Sequence, residues 1–344
     1  MRQRRRGSVQ RVTMSDVARV AEVSPMTVSR ALNQPDAVRP ELRERVQEAV
    51  RKTGYIHDRI ASALASHRSG MIAVILPTIA SSMFSDSVRG ISEVARARGA
   101  QIVLAETNYS VMEEEAAVAA LLGRRPDGFI VIGTIQSERT RSQLVRAAVP
   151  VVETWDTTEE PVDSLIAFSN RDAAQAMTEA LADLGYQRIA FAGVANGDRR
   201  ARLREEGYRA GLTARALHAP QVVYVEDLTS MRSGALVADM VTALAPQPDA
   251  LFCLNDVLAA GALLALQRKG LRVPDALGVA GFGGFDFAEH LVPSLTTVDV
   301  PRYAIGHEAA CVLMDRIEGL ADAHKISRTE FQICLRESTR DIIL

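Results

Sequence analysis

At Gly70 the texture of this 344-residue chain changes, and that change constrains its fold more than any single motif. Before it, apolar residues recur at helical spacing over 14–21, 25–32 and 40–53, with turns of a few residues between them. After it come short apolar runs of strand length, MIAVILP (71–77), QIVLAE (101–106), GFIVIG (128–133) and PVVET (150–154), alternating with amphipathic stretches. The rhythm resumes with RIAFAGV (188–194), QVVYVE (221–226), ALFCLN (250–255) and LGVAGF (277–282). Unbroken apolar strands alternating with helices build parallel sheets covered on both faces. The pattern therefore predicts a trihelical N-terminal unit followed by two doubly wound α/β lobes. In such sheets ligands bind beyond the carboxyl ends of the strands, so the residues just after each run are the candidates for a site. Between the two regions, 59–65 reads as a short linker helix with Ala61 and Leu64 on one face, ended by His67-Arg68-Ser69-Gly70.

Charge divides at the same place. The first 70 residues hold 14 Lys and Arg against 7 Asp and Glu, while the rest of the chain is net acidic and the whole carries a formal charge of −2. A basic front end on an acidic body points to nucleic acid as the partner of the former. The chain is 47% hydrophobic, enough to bury two substantial cores. Cys253, Cys311 and Cys334 have no metal-ligand or CxxC spacing and read as reduced thiols. The basic N-terminus is followed by no apolar segment of a secretion signal, and no stretch is apolar enough to span a membrane, so a cytoplasmic protein is expected.

VTMSDVARVAEVSPMTVSRALN (12–33) carries the sharpest signal. Thr13 can cap the first helix with Asp16 at its third position, and Val17, Ala18 and Val20 or Ala21 give an apolar face. Ser24 can cap the second helix with Pro25 at its first position, and Val28 and Leu32 turn inward. Pro25, Met26, Ser29 and Arg30 are left outward, at the front of a helix suited to a major groove. Arg30 can donate bidentately to a guanine edge, and Thr27 and Ser29 can reach phosphates.

These residues, with LRERVQEAVRKTGYIHDRIASALAS after them, resemble the headpiece and hinge of the LacI/GalR family of bacterial repressors. The resemblance implies that Pro25 and Met26 choose the operator sequence and that Arg30 reads a base. Asn33 and Tyr55 would contact the DNA backbone or support the headpiece, and Ala61 and Leu64 would enter the minor groove, Leu64 as a wedge. Glu22 stands where the family usually has a glycine, and His57-Asp58 replace its Pro-Asn.

The body is similar to the periplasmic-binding-protein-like core of the same family, through DGFIVIG (127–133), LADLGYQRIAFAG (181–193), GYRAGL (207–212), FCLND (252–256), GLRVPDALGVAGF (270–282) and PSLTTVDVP (293–301). The implied layout is a headpiece over 1–58, a hinge helix over 59–69, a first lobe over 70–168 and 296–322, and a second over 169–295 and 323–344. The first lobe would bring Met83, Phe84, Thr107, Asn108, Thr134, Trp155 and Asp156 to an effector cleft, and the second Ser169, Asn170, Arg204, Asn255 and Gly283. Arg204, in RxxGY, would grip polar groups of the effector. At 283 sugar-binding members commonly carry an aspartate that accepts from hydroxyls; here the phrase is GFGGFD, and the missing carboxylate removes repulsion of an anion. SPMTVSR, IAFSNRDAAQAMTEALADLGYQRIAF and GFGGFDFAEH resemble the gluconate-utilisation branch, which implies a sugar acid such as gluconate, or its phosphate, as effector.

The alternatives are a transport-type binding protein, an enzyme, or a regulator answering to a neutral sugar or nucleobase. A DNA-reading front end without an export signal disfavours the first. The second finds no GxGxxG after a strand, P-loop, GxSxG elbow or metal spacing, and His218, His290 and His307 are scattered. No catalytic residue, metal or cofactor is expected. The partners expected are a near-palindromic DNA operator, a small anionic effector and a second copy of the chain, a dimer being the default because DIIL ends without heptads.

Overall fold

Three helices form where the N-terminal periodicity places them: α1 (Met14–Ala21), α2 (Pro25–Asn33) and α3 (Pro40–Thr53). Their inward faces are made of small and β-branched residues, with Val17, Ala18 and Ala21 of α1 meeting Val28 and Ala31 of α2 and Val46 and Ala49 of α3. Val17, Val28 and Val46 are fully enclosed, and burying one such side chain contributes on the order of 1.5–3 kcal/mol. Val20, the alternative to Ala21 on the α1 face, is exposed. The computed structural model describes residues 12–33, 37–56, 68–195, 198–227, 229–320 and 324–341. They fall into two units divided between Ser69 and Gly70. His57, Asp58, Ala61 and Leu64, and with them the expected linker helix, lie outside the described residues.

The second unit holds two six-stranded sheets. In the first, β1 (Met71–Leu76), β2 (Gln101–Glu106), β3 (Gly128–Ile132), β4 (Val151–Thr154) and β5 (Ser164–Ala167) are parallel, and helices α4 (Ser85–Ala97), α5 (Val111–Leu122) and α6 (Glu138–Ala147) lie between them in sequence. In the second, β6 (Ile189–Val194), β7 (Gln221–Val225), β8 (Ala250–Cys253) and β9 (Gly278–Gly283) alternate with α8 (Arg199–Ala214), α9 (Met231–Thr242) and α10 (Asp256–Arg268), after α7 (Asn170–Asp183) has brought the chain across. Central strands β1, β3, β4, β6, β8 and β9 are buried on both faces because helices cover both, and all but β4, which carries Glu153 and Thr154, are apolar.

The last third departs from the expected layout. Strand β10 (Thr296–Asp299) does not return to the first lobe; it runs parallel to β9 in the second sheet. The return comes with α11 (Arg302–Glu318), which packs on α4, and β11 (Ile326–Arg328) then joins β5 in the first sheet. Only β12 (Gln332–Cys334) re-enters the second sheet, antiparallel to β10. The chain thus passes between lobes after Ala167, after Asp299 and after Arg328. Glycines set the α4–α11 crossing: a Cβ on Gly306 would stand 2.1 Å from the Ser87 carbonyl oxygen, and one on Gly90 2.7 Å from that of Tyr303.

Candidate DNA-reading face and effector cleft

The Thr13 backbone N–H and hydroxyl both donate to the Asp16 carboxylate, at 2.9 and 2.7 Å, fixing the start of α1. Those bonds, the backbone one first, hold the Asp16 carboxyl below its usual range. At the other end Glu22 takes a left-handed conformation, φ 52°, and Val23 N–H bonds back to the Ala18 carbonyl at 3.0 Å. Arg45 of α3 reaches the Ala21 carbonyl at 2.7 Å and lies 3.7 Å from the Glu22 carboxylate, bracing the turn. Ser24 then caps α2, its hydroxyl accepting from Thr27 N–H at 3.1 Å and sharing a 2.9 Å bond with the Thr27 hydroxyl.

With both caps in place, Pro25, Met26 and Arg30 stand exposed along one side of α2, Met26 at 72% of its surface. Thr27 and Ser29 flank them half-buried, and Tyr55 packs against the three-helix core. Asn33 ends α2, but its side chain lies outside the description. An exposed apolar tip beside a guanidinium, on a helix whose opposite face is held by two others, has the shape and chemistry that suit a major groove.

The second unit has two adjoining cavities between its lobes, at the carboxyl ends of the strands, sharing Tyr109, Asp198 and Arg200. They bring together Met83, Phe84, Thr107, Thr134, Asp156, Arg204 and Asn255 from both lobes. Arg204 is buried, donates to the Asn170 Oδ1 at 2.9 Å and the Leu254 carbonyl at 2.8 Å, and stacks 3.7 Å over the Phe282 ring. Burial first, and neighbouring Arg200 second, push it down to about 9, so it is charged at neutral pH. Asn255 caps α10, accepting from Leu258 N–H at 2.9 Å.

Five expected cleft residues stand elsewhere. Trp155 is fully enclosed, its indole N–H donating to the Ser87 hydroxyl at 3.0 Å and its ring set edgewise against Phe84 and Phe168. Asn108, turned out by φ 47°, spends its amide on Glu113 at 2.7 Å. Ser169 caps α7. Asn170 lies one layer below the cavity, donating to the Trp155 carbonyl at 2.7 Å while accepting from Arg204, and so positions that arginine. Gly283 is covered: a Cβ there would stand 2.9 Å from the Phe285 ring and 3.0 Å from the Met83 methyl.

Sequence reasoning missed Tyr109, Glu114 and Asp198, and took Arg199 and Arg200 only as part of an arginine cluster before GY that could meet a carboxylate; all five wall the cavities. Arg200 is buried, bonds Asp198 through Nε at 3.2 Å and lies 5.1 Å over the Phe84 ring, yet among the described residues its buried Nη1 has no hydrogen-bond partner. The signal was in the spacing: Arg200, Arg204, Gly207, Tyr208 and Gly211 form one buried face of α8, although RRARLR looks like a solvated charge run. Among the described residues no cluster of three or more His, Cys, Asp and Glu could hold a metal, and no helix is long and apolar enough to cross a membrane.

Comparison with known proteins accounts for both regions. Residues 13–58 match the family described as bacterial regulatory proteins, lacI family, and 178–339 the periplasmic binding protein-like domain. The chain is similar to the HTH-type transcriptional regulator GntR of Escherichia coli, 35% identical over 309 residues covering 90% of this chain and 93% of that one. Its structure resembles a LacI-family transcriptional regulator from Silicibacter pomeroyi, with a TM-score of 0.89, 33% identity and coverage of 96% and 100%. It also resembles the lac repressor dimer bound to operator and the anti-inducer ONPF, with a TM-score of 0.80, 28% identity and the same coverage. These relatives are regulators rather than enzymes. On this match and this identity over most of its length, the chain belongs to the LacI family of bacterial DNA-binding transcriptional regulators.

Proposed function

We propose that this regulator is a repressor whose operator affinity is set by a sugar acid held between the lobes. The observation that carries this reading is the buried Arg200 Nη1, which has no hydrogen-bond partner among the described residues and lies on the same helix face as Arg204. A buried guanidinium N–H left unmade is costly, and a carboxylate supplies the oxygen it lacks. The sequence resemblance to the gluconate-utilisation branch supports the same ligand class.

In this reading two copies act together on a near-palindromic operator. The resemblance of 59–69 to the family's hinge supports a minor-groove contact by Ala61 and Leu64. Ligand binding changes how the lobes hold them and so couples the cleft to DNA. The test is fluorescence anisotropy of the protein on its own upstream DNA, with D-gluconate, D-glucose, a pentose or a purine added. A shift with gluconate alone supports the proposal, whereas a response to a neutral pentose or a purine sinks it. Leu64→Ala should weaken operator binding and spare ligand affinity; undiminished DNA binding removes the hinge from the mechanism.

A further inference from the structure

We infer that the cleft is electrically polarised along its length and selects a polyhydroxylated monocarboxylate in one orientation, with its carboxylate at Arg204 and Arg200 and its hydroxyl end at Glu114. The inference rests on the sugar-acid reading above and narrows it. Three arginines and three carboxylates wall the two cavities: Arg199, Arg200 and Arg204 against Glu114, Asp156 and Asp198. Four of these cancel, because Arg199 pairs with Asp156 and Arg200 with Asp198. The two left over sit apart.

Arg204 belongs to the cavity with Met83, Phe84 and Asn255, and among the described residues its hydrogen bonds go to neutral oxygens, those of Asn170 and Leu254. The Arg200 Nη1, without a hydrogen-bond partner among the described residues, is its neighbour one turn earlier. Glu114 belongs to the cavity with Thr107, Thr134 and Gln136. Its carboxylate accepts from the Gln136 and Ser137 backbone N–H groups at 3.2 Å, and among the described residues no cation is paired with it. Burial raises its pKa, while those two bonds act the other way and favour the ionised form.

A ligand crossing from one cavity to the other therefore meets a net positive end and a net negative end. A carboxylate completes the Arg200 and Arg204 donor set, and a terminal hydroxyl can donate to Glu114. A second anionic group at the far end would face Glu114 with little water between them, and a neutral sugar would leave the Arg204 charge uncompensated. Of the acids considered, an aldonate fits; an aldarate or a phosphorylated aldonate does not.

Isothermal titration calorimetry on the full chain tests this with D-gluconate, D-glucarate, 6-phospho-D-gluconate and D-glucose. Gluconate should bind at least about ten-fold more tightly than the other two acids, the scale of discrimination expected from one buried like-charge contact. Glu114→Gln should shrink that ratio by at least about three-fold. Equal binding of gluconate and glucarate to the wild-type chain overturns the polarity, as does an unchanged ratio in a folded Glu114→Gln chain. Should that variant fail to fold, the wild-type ratio alone decides. A best response to D-glucose counts instead against the sugar-acid reading itself.

Discussion

The Arg199 guanidinium of α8 donates to the Asp156 carboxylate that follows β4, joining the two lobes by an ion pair across the cleft. Asp156 is almost wholly buried, and burial raises its pKa against the opposing pull of Arg199 and Arg200. Arg199 also donates to the Thr157 carbonyl at 3.3 Å, so one side chain spans two points of the first lobe.

Removing that arginine strands a buried carboxylate. Arg199→Met should lower the unfolding free energy by about 1–3 kcal/mol, short of a fully buried pair because Arg199 keeps a third of its surface in water. Adding Asp156→Asn should recover part of the loss. Urea titration of the four chains of the cycle decides; strictly additive losses would mean that the pair is not coupled.

Asp256 gives a pH-dependent prediction. It accepts from Phe285 N–H at 2.8 Å and the Thr297 hydroxyl at 2.6 Å, tying α10 to β9 and β10. Burial raises its pKa from 3.8 to about 6. Between those values the folded chain binds more protons than the unfolded one, so this group makes stability fall as pH rises through the window. Above it the cost is complete, on the order of 3 kcal/mol. In Asp256→Asn, where the Thr297 hydroxyl can turn to accept, that slope should vanish. Chemical denaturation at several pH values between 4 and 7 measures it, and an undiminished slope would place its origin elsewhere.

In the headpiece, Glu22→Gly should be stabilising. The left-handed conformation costs a side-chain-bearing residue about 1–2 kcal/mol, and the exposed Glu22–Arg45 pair that would be lost is worth no more than about 1 kcal/mol. A net gain of up to about 1 kcal/mol should appear as a higher midpoint for the headpiece transition in calorimetry. A lower midpoint would show that Arg45 braces the turn through Glu22 rather than through the Ala21 carbonyl.

Arg30 and Met26 separate affinity from choice. Arg30→Ala should weaken operator binding by about 1–3 kcal/mol and relax selection at a single base position. Met26 substitutions should change which operator is preferred with a smaller loss of overall affinity. Selection from a randomised DNA pool reads both, and an Arg30→Ala chain with intact preference at every position would exclude it from base reading.

What the sequence made legible was local chemistry. Thr13–Asp16 and Ser24–Thr27 are contacts within one helical turn, so the caps and the outward face of α2 could be read from four-residue spacings. Sheet membership is not local: TTVD at 296–299 has the same composition in either sheet, and only pairing with β9 decides it. Trp155 failed as a cleft residue for a related reason. A large aromatic at a strand end suits ligand stacking equally well, but its indole N–H finds Ser87 and its ring finds Phe84 and Phe168 from distant parts of the chain. Asn170 is close enough to matter and still one layer away, holding Arg204 rather than a ligand.

The chain passes between the lobes three times, after Ala167, Asp299 and Arg328. One strap would let the lobes swivel freely, and two would still allow twist about their line. With three, sliding or twisting stretches at least one of them, while folding open and shut bends each only slightly. The free energy of a small molecule entering the cleft thus has one inexpensive coordinate to act on, an angle. A signal carried as an angle can be passed to a second body without loosening the first.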